Sequence, residues 1–260
     1  MSFINKTLSS FGIGSVKVDS VLRQDVLFPG HKANVTVHLY AGGEQQEIES
    51  IHLRLCCRYI QEVLDDSTNQ YQRQHQNHTL VAWDLPNSFT IQPRETRDFD
   101  IELDIPWNTP ITIGDTKVWI ETDVDIAKAP DPTDKEILTV RPDSMMDGIF
   151  SALESKGLRI RQVECEAVEG LPLPYVQEFE FVPIDGPYHG CWRELELVCH
   201  YTDEGIQMWF EIDRNRKCTK GMLASLLSKG ELTHHLSIPL TATADQAGDR
   251  VISYLEETYL

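Results

Sequence analysis

The sequence has a deficit of positive charge and contains no long hydrophobic run. Lys and Arg number 23 against 41 Asp and Glu, a formal net charge of −18, which the two halves of the chain share evenly. Nucleic acids and anionic membranes attract proteins with a positive field, so neither is expected as a main partner. No stretch approaches the roughly 18 apolar residues of a membrane-spanning helix, so no integral membrane segment is expected. The opening residues, Met1–Lys6, lack the apolar core of a signal peptide, which predicts a cytoplasmic protein.

Zinc-binding spacings and catalytic signature motifs are also missing. None of the six cysteines forms a C-x-x-C pair, the spacing typical of structural zinc sites. No Gly-x-Ser-x-Gly elbow and no Gly-rich phosphate loop occurs. Short-range pairs do occur, but residues one or three apart on a strand point to opposite faces. These pairs are His75 and His78, Cys56 and Cys57, Cys199 and His200, and His234 and His235. We therefore expect no cofactor, no metal ligand and no catalytic residue, and so a protein that is not an enzyme.

Three further groups of residues allow a binding or catalytic interpretation. Four aspartates surround a turn: Asp123, Asp125, Asp131 and Asp134. They lack the spacing and the glycine of an EF-hand, which favours a surface carboxylate group over calcium. The stretch His189-Gly190-Cys191-Trp192 permits a Cys–His pair, but the preceding Asp185-Gly186-Pro187 favours a hairpin turn. Five tryptophans could line a sugar cleft, although their scatter along the chain favours core packing. They are Trp83, Trp107, Trp119, Trp192 and Trp209.

The clearest structural signal is an alternation of apolar and acidic residues just before Pro106. The apolar set is Phe99, Ile101, Leu103 and Ile105, and the acidic set is Asp98, Asp100, Glu102 and Asp104. A strand places such sets on opposite faces, one toward a core and one toward water. The pattern predicts a strand of an antiparallel sandwich or barrel, ended by Pro106.

The rest of the first half has the same character, with about seven predicted strands and almost no helix. A long strand is predicted over residues 48–64, and the polar stretch 65–77 is interpreted as a long hairpin connection or loop. Further strands are predicted over 117–126 and 136–140. Short strands separated by turn signals are typical of a β-sandwich.

The second half starts at Arg141-Pro142, which interrupts the strand pattern. A helix is predicted over about 144–156, capped by Asp143 or Ser144 and ended by Gly157. Four alternating strands follow, then a short helix over 222–227, a strand within 232–240 and a closing helix over 242–260. We predict a mainly β protein of two domains, residues 1–140 and residues 141–260, with short helices added to the second.

Several short motifs, in this order and spacing, resemble the arrestin superfamily. They are Asp25-Val26-Leu27-Phe28-Pro29-Gly30, Ile91-Gln92-Pro93-Arg94-Glu95 and Ile105-Pro106-Trp107-Asn108-Thr109-Pro110. The chain is more closely similar to the bacterial sporulation-control family named sporulation stage zero protein M. That resemblance covers nearly the whole chain and includes Arg141-Pro142 and Val176-Gln177-Glu178-Phe179-Glu180-Phe181-Val182-Pro183.

The resemblance implies two arrestin-like β-sandwiches joined near residue 141, and a cytoplasmic protein that binds other proteins without catalysis. We expect an adaptor or scaffold that regulates cell-stage or stress physiology, with homodimerisation possible through open sheet edges. Trp107, Arg141 and Pro142 are the candidate residues of the joint between the domains. The alternative is a β-sandwich module that binds a sugar, another metabolite or calcium.

Overall fold

The fold is seen in a computed structural model, which describes residues 15–65, 67, 69–85, 88–127, 129–213 and 235–259. The described residues form thirteen strands and two helices. The strands of the first half are β1 (Lys17–Leu22), β2 (Lys32–Tyr40), β3 (Gln46–Asp65), β4 (Gln70–Leu85), β5 (Phe89–Ile91), β6 (Thr96–Asp104), β7 (Val118–Ile126) and β8 (Thr133–Ile137). The second half contains α1 (Ser144–Ser155), β9 (Leu158–Ala167), β10 (Tyr175–Pro183), β11 (Glu194–Tyr201), β12 (Gly205–Asp213), β13 (His235–Pro239) and α2 (Ala244–Tyr259).

The first half is a sandwich of two sheets. Strands β1, β2 and β6 form one antiparallel sheet in the order β1-β2-β6. The facing sheet contains β3 with β4 and β5 on one side and β7 and β8 on the other. Side chains of both sheets, such as Val35, Leu53 and Ile120, share one buried cluster, and removal of this apolar surface from water holds the layers together.

Strand β6 confirms the alternation predicted before Pro106. Leu103 is fully buried and Phe99 packs against the core, whereas the acidic side chains face solvent. All four carboxylates have a basic neighbour, and the closest ion pairs across the sheet join Asp100 to Arg23 and Glu102 to Lys32. Both pairs are exposed, so they stabilise the fold little.

The polar stretch after residue 65 differs from its prediction as a long connection or loop. Residues 70–77 belong to β4 and pair in register with β3, from Gln70 opposite Asp65 to Asn77 opposite Arg58. Sequence periodicity did not indicate a strand here because this half of the β3–β4 hairpin is mostly exposed on both faces, so no apolar alternation is needed. The predicted strand over 136–140 is also shifted: β8 ends at Ile137, and Val140 makes only an isolated bridge to Leu27.

Strand β3 connects the two halves of the molecule. Its C-terminal part lies parallel to β9, with Ile60 opposite Glu166, so one ten-stranded sheet runs through both halves. Beyond β9 the sheet continues in the order β9-β10-β11-β12-β13 with antiparallel neighbours. The register of the second half is therefore tied to the hairpin of the first.

Helices α1 and α2 cover one face of the second-half strands. Asp143 caps α1 by accepting hydrogen bonds from the N–H groups of Met145 and Met146, at 2.8 and 3.4 Å, and Gly157 follows with φ +84°, as predicted. Thr243 and Gln246 exchange side-chain-to-backbone bonds at the start of α2, at 3.0 and 3.3 Å, which is a capping box. The helix predicted over 222–227 lies outside the described residues.

The described residues form two large hydrophobic cores, and each includes residues from the other half. The core under the helices contains Leu153, Phe179 and Val251, together with Ile111 from the first half. The sandwich core includes Tyr175 from the second. The predicted fold class is confirmed: the protein is mainly β, with two arrestin-like units in tandem and helices added to the second.

Candidate functional site

The joint between the two units is built around residues 107–112, which leave the first sandwich after β6. The side chain of Asn108 pairs with the backbone of Tyr201, donating to its carbonyl at 2.9 Å and accepting from its N–H at 2.7 Å. An amide side chain carries one donor group and one acceptor, so it can substitute for a neighbouring strand.

Gln177 on β10 makes the reciprocal contact to the connecting segment. Its Oε1 accepts from the N–H of Ile111 at 2.9 Å, and its Nε2 donates to the carbonyl of Ile111 at 2.7 Å. Both residues are buried, and buried backbone groups need such partners. Two side-chain amides therefore fix the connecting segment on the second sheet.

Trp107, a predicted joint residue, lies at the rim of this contact with 41% of its surface exposed. Its ring lies 5.0 Å from the ring of Tyr201, measured between centroids. The other side of the indole covers Gly30, which has φ +74°, and a Cβ on Gly30 would overlap the indole ring. The turn that precedes β2 therefore requires glycine both for its backbone conformation and for this contact.

Arg141 and Pro142, the other predicted joint residues, lie where the chain passes into the second unit. The Arg141 side chain is exposed and its N–H donates to the carbonyl of Leu27 at 2.9 Å, while Pro142 is half-buried. Next to them, the buried carboxylate of Asp143 accepts a hydrogen bond from the hydroxyl of Tyr201. Burial, and then the nearby Asp143 carboxylate, raises the pKa of Tyr201 well above its ordinary value.

The short-range His and Cys pairs do not converge within the described residues. His75 is exposed, whereas His78 lies against the Tyr175 ring at 6.0 Å, and burial lowers the pKa of His78. Burial raises the pKa of Cys57 to about 12, so its thiol stays protonated. The pair His234 and His235 lies partly outside the described residues.

The four aspartates considered for calcium each bind a different group. Asp123 pairs with Arg54, and Asp125 accepts the hydroxyl of Ser50 at 2.6 Å. The N–H of Ile126 donates to Asp131 at 3.0 Å, and the N–H of Ser20 donates to Asp134 at 2.8 Å. Their carboxylates are thus held by separate structural contacts. The stretch around His189 forms turns, with positive φ at Gly186 and Gly190, as predicted.

Ser50, His52 and Asp84 form a chain of contacts that sequence analysis missed. Ser50 Oγ lies 2.8 Å from His52 Nε2, and His52 Nδ1 lies 2.5 Å from Asp84 Oδ1. Asp125, however, accepts the hydrogen bond of the Ser50 hydroxyl at 2.6 Å and also lies 3.1 Å from His52 Nε2. Asp84, and then Asp125, raises the pKa of His52. Because the Ser50 hydroxyl donates to Asp125, its hydrogen is not directed at His52. The group is a polar network rather than a nucleophilic site.

A second feature missed from the sequence is an acidic surface on β9, β10 and β11, which we call the glutamate face. It consists of Glu164, Glu166, Glu178, Glu180, Glu194 and Glu196. Arg73 contacts Glu164 and Glu166 at 2.6 and 2.8 Å, and Arg161 contacts Glu180 and Glu194. The two guanidinium groups thus contact four of the six carboxylates.

Glu178 lies at the centre of the glutamate face and is the most perturbed of these groups. It stands directly opposite Glu164 on β9, with Glu180 two residues away on the same face of β10. Burial, and then the charges of Glu196, Glu166, Glu180 and Glu164, raises its pKa to about 8. The alternation of Glu with apolar residues in β10 was visible in the sequence, but its neighbours across the sheet were not.

No helix in the described part of the chain is long and apolar enough to cross a membrane. Two β units in tandem, joined through side-chain amides, define an arrestin-like protein. The chain belongs to the SpoOM protein family, whose family model, Spo0M, matches residues 4–216. It is a homologue of the sporulation-control protein spo0M of Bacillus subtilis (strain 168), with 36% identity over 233 residues, 89% of this chain and 88% of that protein.

The fold is also similar to that of a solved relative. The crystal structure of Spo0M from Bacillus subtilis matches with a TM-score of 0.80 and 32% identity, covering 94% of this chain and 99% of that one. A CARDB domain of the PF1109 protein from Pyrococcus furiosus gives a TM-score of only 0.28 at 14% identity, covering 50% of this chain and 91% of that one, so it bears on neither fold nor function.

Proposed function

We propose that this protein is a non-enzymatic adaptor or scaffold that binds other proteins in the cytoplasm and thereby regulates cell-stage or stress physiology. Membership of a sporulation-control family supports the regulatory part of the proposal. The single observation that carries the binding part is the open outer edge of β4. The polar network around His52 supports the absence of catalysis, because the Ser50 hydroxyl already donates a hydrogen bond to Asp125.

Strand β4 is 16 residues long and pairs with β3 alone among the described strands. Its first six residues, Gln70 to His75, are all exposed, and Tyr71 has 71% of its surface in solvent. A long open edge presents unpaired N–H and C=O groups to another chain. Proteins usually protect such edges with lysine, proline or a bulge. The β3–β4 hairpin has a shift in strand register between Leu55 and Cys56, but this shift lies outside the exposed half of the hairpin.

The occupant we propose is an extended, positively charged segment of another protein, which would add a strand to β4. The tip of the β3–β4 hairpin carries Asp65, and Glu62 lies on β3 below it. The whole chain has a formal charge of −18. Opposite charge would accelerate encounter and make binding sensitive to salt. A second copy of this chain would be disfavoured at this edge by like charge, so a homodimer is the less favoured arrangement.

The test is a crosslinked pull-down from lysate of the source bacterium at low and raised salt, with a variant that carries Gln72→Lys and Gln74→Lys. Both side chains lie on the face of β4 away from Arg73, so the contacts of that residue with β9 are kept. The matched control carries Asn34→Lys and Gln45→Lys, two exposed positions of the first unit with the same charge change.

We expect a few reproducible partners with the wild type and the control, lost with the β4 variant and at raised salt. Equal recovery by both variants would refute docking at β4. The absence of partners at either salt would contradict the adaptor function. It would favour the alternative, a module for a sugar, another metabolite or calcium, which a thermal-shift screen then tests.

We further propose that the two units are domains with their boundary between residues 140 and 141, and that Trp107, Arg141 and Pro142 set their relative position. The two large hydrophobic cores, each built mainly from one half of the chain, support the boundary, and the contact of Trp107 with Tyr201 supports the role of the joint. Insertion of Gly-Gly after Arg141 should broaden the distance distribution in small-angle scattering. An unchanged scattering curve would count against this proposal.

A further inference from the structure

Three side chains of the glutamate face bring carboxylate oxygens to one point. One oxygen each of Glu178, Glu180 and Glu196 lies within 4.8 Å of the other two. Glu180 and Glu196 stand directly opposite each other on β10 and β11, and Glu178 precedes Glu180 by two residues on the same face. The convergence therefore follows from strand register, which holds side chains more firmly than a loop does.

The central carboxylate is buried and forms no ion pair with any other residue of the described ranges. Glu178 is only 9% exposed, and its Oε2 is buried with no hydrogen-bond partner in the described structure. The two arginines of this face are engaged to either side, Arg73 with Glu164 and Glu166 and Arg161 with Glu180 and Glu194. Buried carboxylates in proteins are paired, protonated or bound to metal.

We propose that Glu178, Glu180 and Glu196 bind a hard divalent cation of the calcium and magnesium class. All three ligands are carboxylate oxygens, without the imidazole nitrogen or thiolate sulfur that zinc and copper prefer. Calcium binds oxygen at about 2.3–2.6 Å, so ligands on opposite sides of the ion are about 5 Å apart. The 4.8 Å limit on the three oxygens is consistent with this spacing. The cation supplies the positive charge that the two arginines do not bring to Glu178.

The Arg161 contact does not prevent binding through Glu180. Arg161 reaches Oε2 of Glu180, at 3.1 Å from its Nε, and a carboxylate can bridge a guanidinium and a cation with its two oxygens. Arg161 then orients Glu180 toward the site. The site is separate from the β4 edge, so failure of the adaptor proposal would not affect the cation-site proposal, and the reverse also holds.

A tryptophan that can report cation binding by fluorescence lies on the same face of the sheet. Trp209 on β12 stands opposite Val198 on β11, and Val198 stands opposite Glu178 on β10. Two strand spacings of about 4.8 Å put the Trp209 backbone roughly 10 Å from that of Glu178. At this distance an excited indole transfers energy efficiently to terbium, a luminescent ion that occupies hard-cation sites.

The experiment titrates the chelator-treated full chain with Tb³⁺ under tryptophan excitation, then competes with Ca²⁺, Mg²⁺ and Zn²⁺. We expect saturable emission, displaced by Ca²⁺ or Mg²⁺ at lower concentration than by Zn²⁺. Glu178→Gln and Glu196→Gln should each weaken Tb³⁺ binding at least tenfold. The control Glu102→Gln removes the same charge from an exposed position on β6 and should bind like the wild type. Trp209→Phe should lose the emission but keep the thermal stabilisation by Ca²⁺.

Three results would overturn the proposal. One is emission that does not saturate, and another is equal Tb³⁺ affinity of Glu178→Gln and Glu102→Gln. The third is preferential displacement by Zn²⁺. If Glu178 is instead protonated and binds no cation, Glu178→Gln should raise the melting temperature, and Ca²⁺ should not change the melting temperature of the wild type or of the variant. The isosteric Gln keeps the fold, so thermal shifts in Ca²⁺ remain interpretable for every variant.

Discussion

The joint between the two units depends on Gln177, and Gln177→Ala tests this dependence. The substitution removes the acceptor of the Ile111 N–H, at 2.9 Å, and one of two donors to the Ile111 carbonyl, at 2.7 Å. The N–H of Ile113 still donates to that carbonyl at 2.9 Å. Gln177 is 8% exposed and Ile111 5%, so water does not readily replace the lost contacts. One backbone group, the N–H of Ile111, becomes buried without a partner.

Each buried group left without a partner costs about 1–3 kcal/mol. We therefore expect Gln177→Ala to lower the free energy of unfolding by about 2 kcal/mol, within a range of about 1–3 kcal/mol. For a chain of this size each kcal/mol lowers the melting temperature by about 2–4 °C, so a decrease of roughly 4–8 °C is expected. Gln177→Glu should be at least as destabilising at neutral pH, because it buries a negative charge against the carbonyl oxygen of Ile111.

The assay is urea unfolding followed by circular dichroism, together with a thermal scan of each variant. The matched control is Gln207→Ala on β12, whose side chain donates only to the exposed hydroxyl of Ser237 at 2.9 Å. It should change stability by less than about 0.5 kcal/mol. Equal stability of the two alanine variants would refute the conclusion that Gln177 fixes the connecting segment.

Three further predictions concern single residues. Gly30→Ala should lower the free energy of unfolding by about 1–3 kcal/mol, since the added methyl meets the indole of Trp107 at a backbone φ of +74°. A shift in tryptophan fluorescence should accompany this loss of stability, and unchanged stability would contradict the contact. Because the pKa of His52 is raised in the folded state, protonation of His52 stabilises the fold. This contribution is complete below the unfolded pKa of about 6.5 and is lost as the pH rises through the folded pKa. The gap in unfolding free energy between wild type and His52→Gln should thus be larger at pH 6 than at pH 9, and a pH-independent gap would exclude this linkage. Asp143→Ala should lower the free energy of unfolding by about 2–3 kcal/mol, because it removes the α1 cap and the partner of Tyr201. Asp143→Asn retains a capping oxygen and should lower it less in the same urea assay. Equal losses for the two variants would argue against the cap.

The fold class was predictable because its signals are local. The alternation around Leu103 requires only that neighbouring side chains of a strand point to opposite faces. The start and end of α1 follow from Asp143 and Gly157, which act on backbone groups within a few residues. Where local chemistry is ambiguous the prediction was wrong, as for residues 70–77, which pair as a strand although both faces are mostly polar and exposed.

The joint was only partly predictable. Its position near residue 141 and the involvement of Trp107 were proposed from the sequence, and their role remains a prediction. The amide side chains that hold the connecting segment could not be inferred, because nothing distinguishes Asn108 or Gln177 from other polar residues until the chain is folded. Gln177 and Ile111 are 66 positions apart.

The sequence by itself determined the strands and helices with clear periodicity, the tandem β architecture and the family. These depend on the repeat of apolar residues and on turn chemistry, which act over a few residues and need no knowledge of distant partners. Only the tertiary structure decided which residues meet: the network around His52, the amides of the joint and the convergence of Glu178, Glu180 and Glu196. The physical reason is that strand register sets these contacts, and register depends on how the whole sheet packs rather than on any short stretch of sequence.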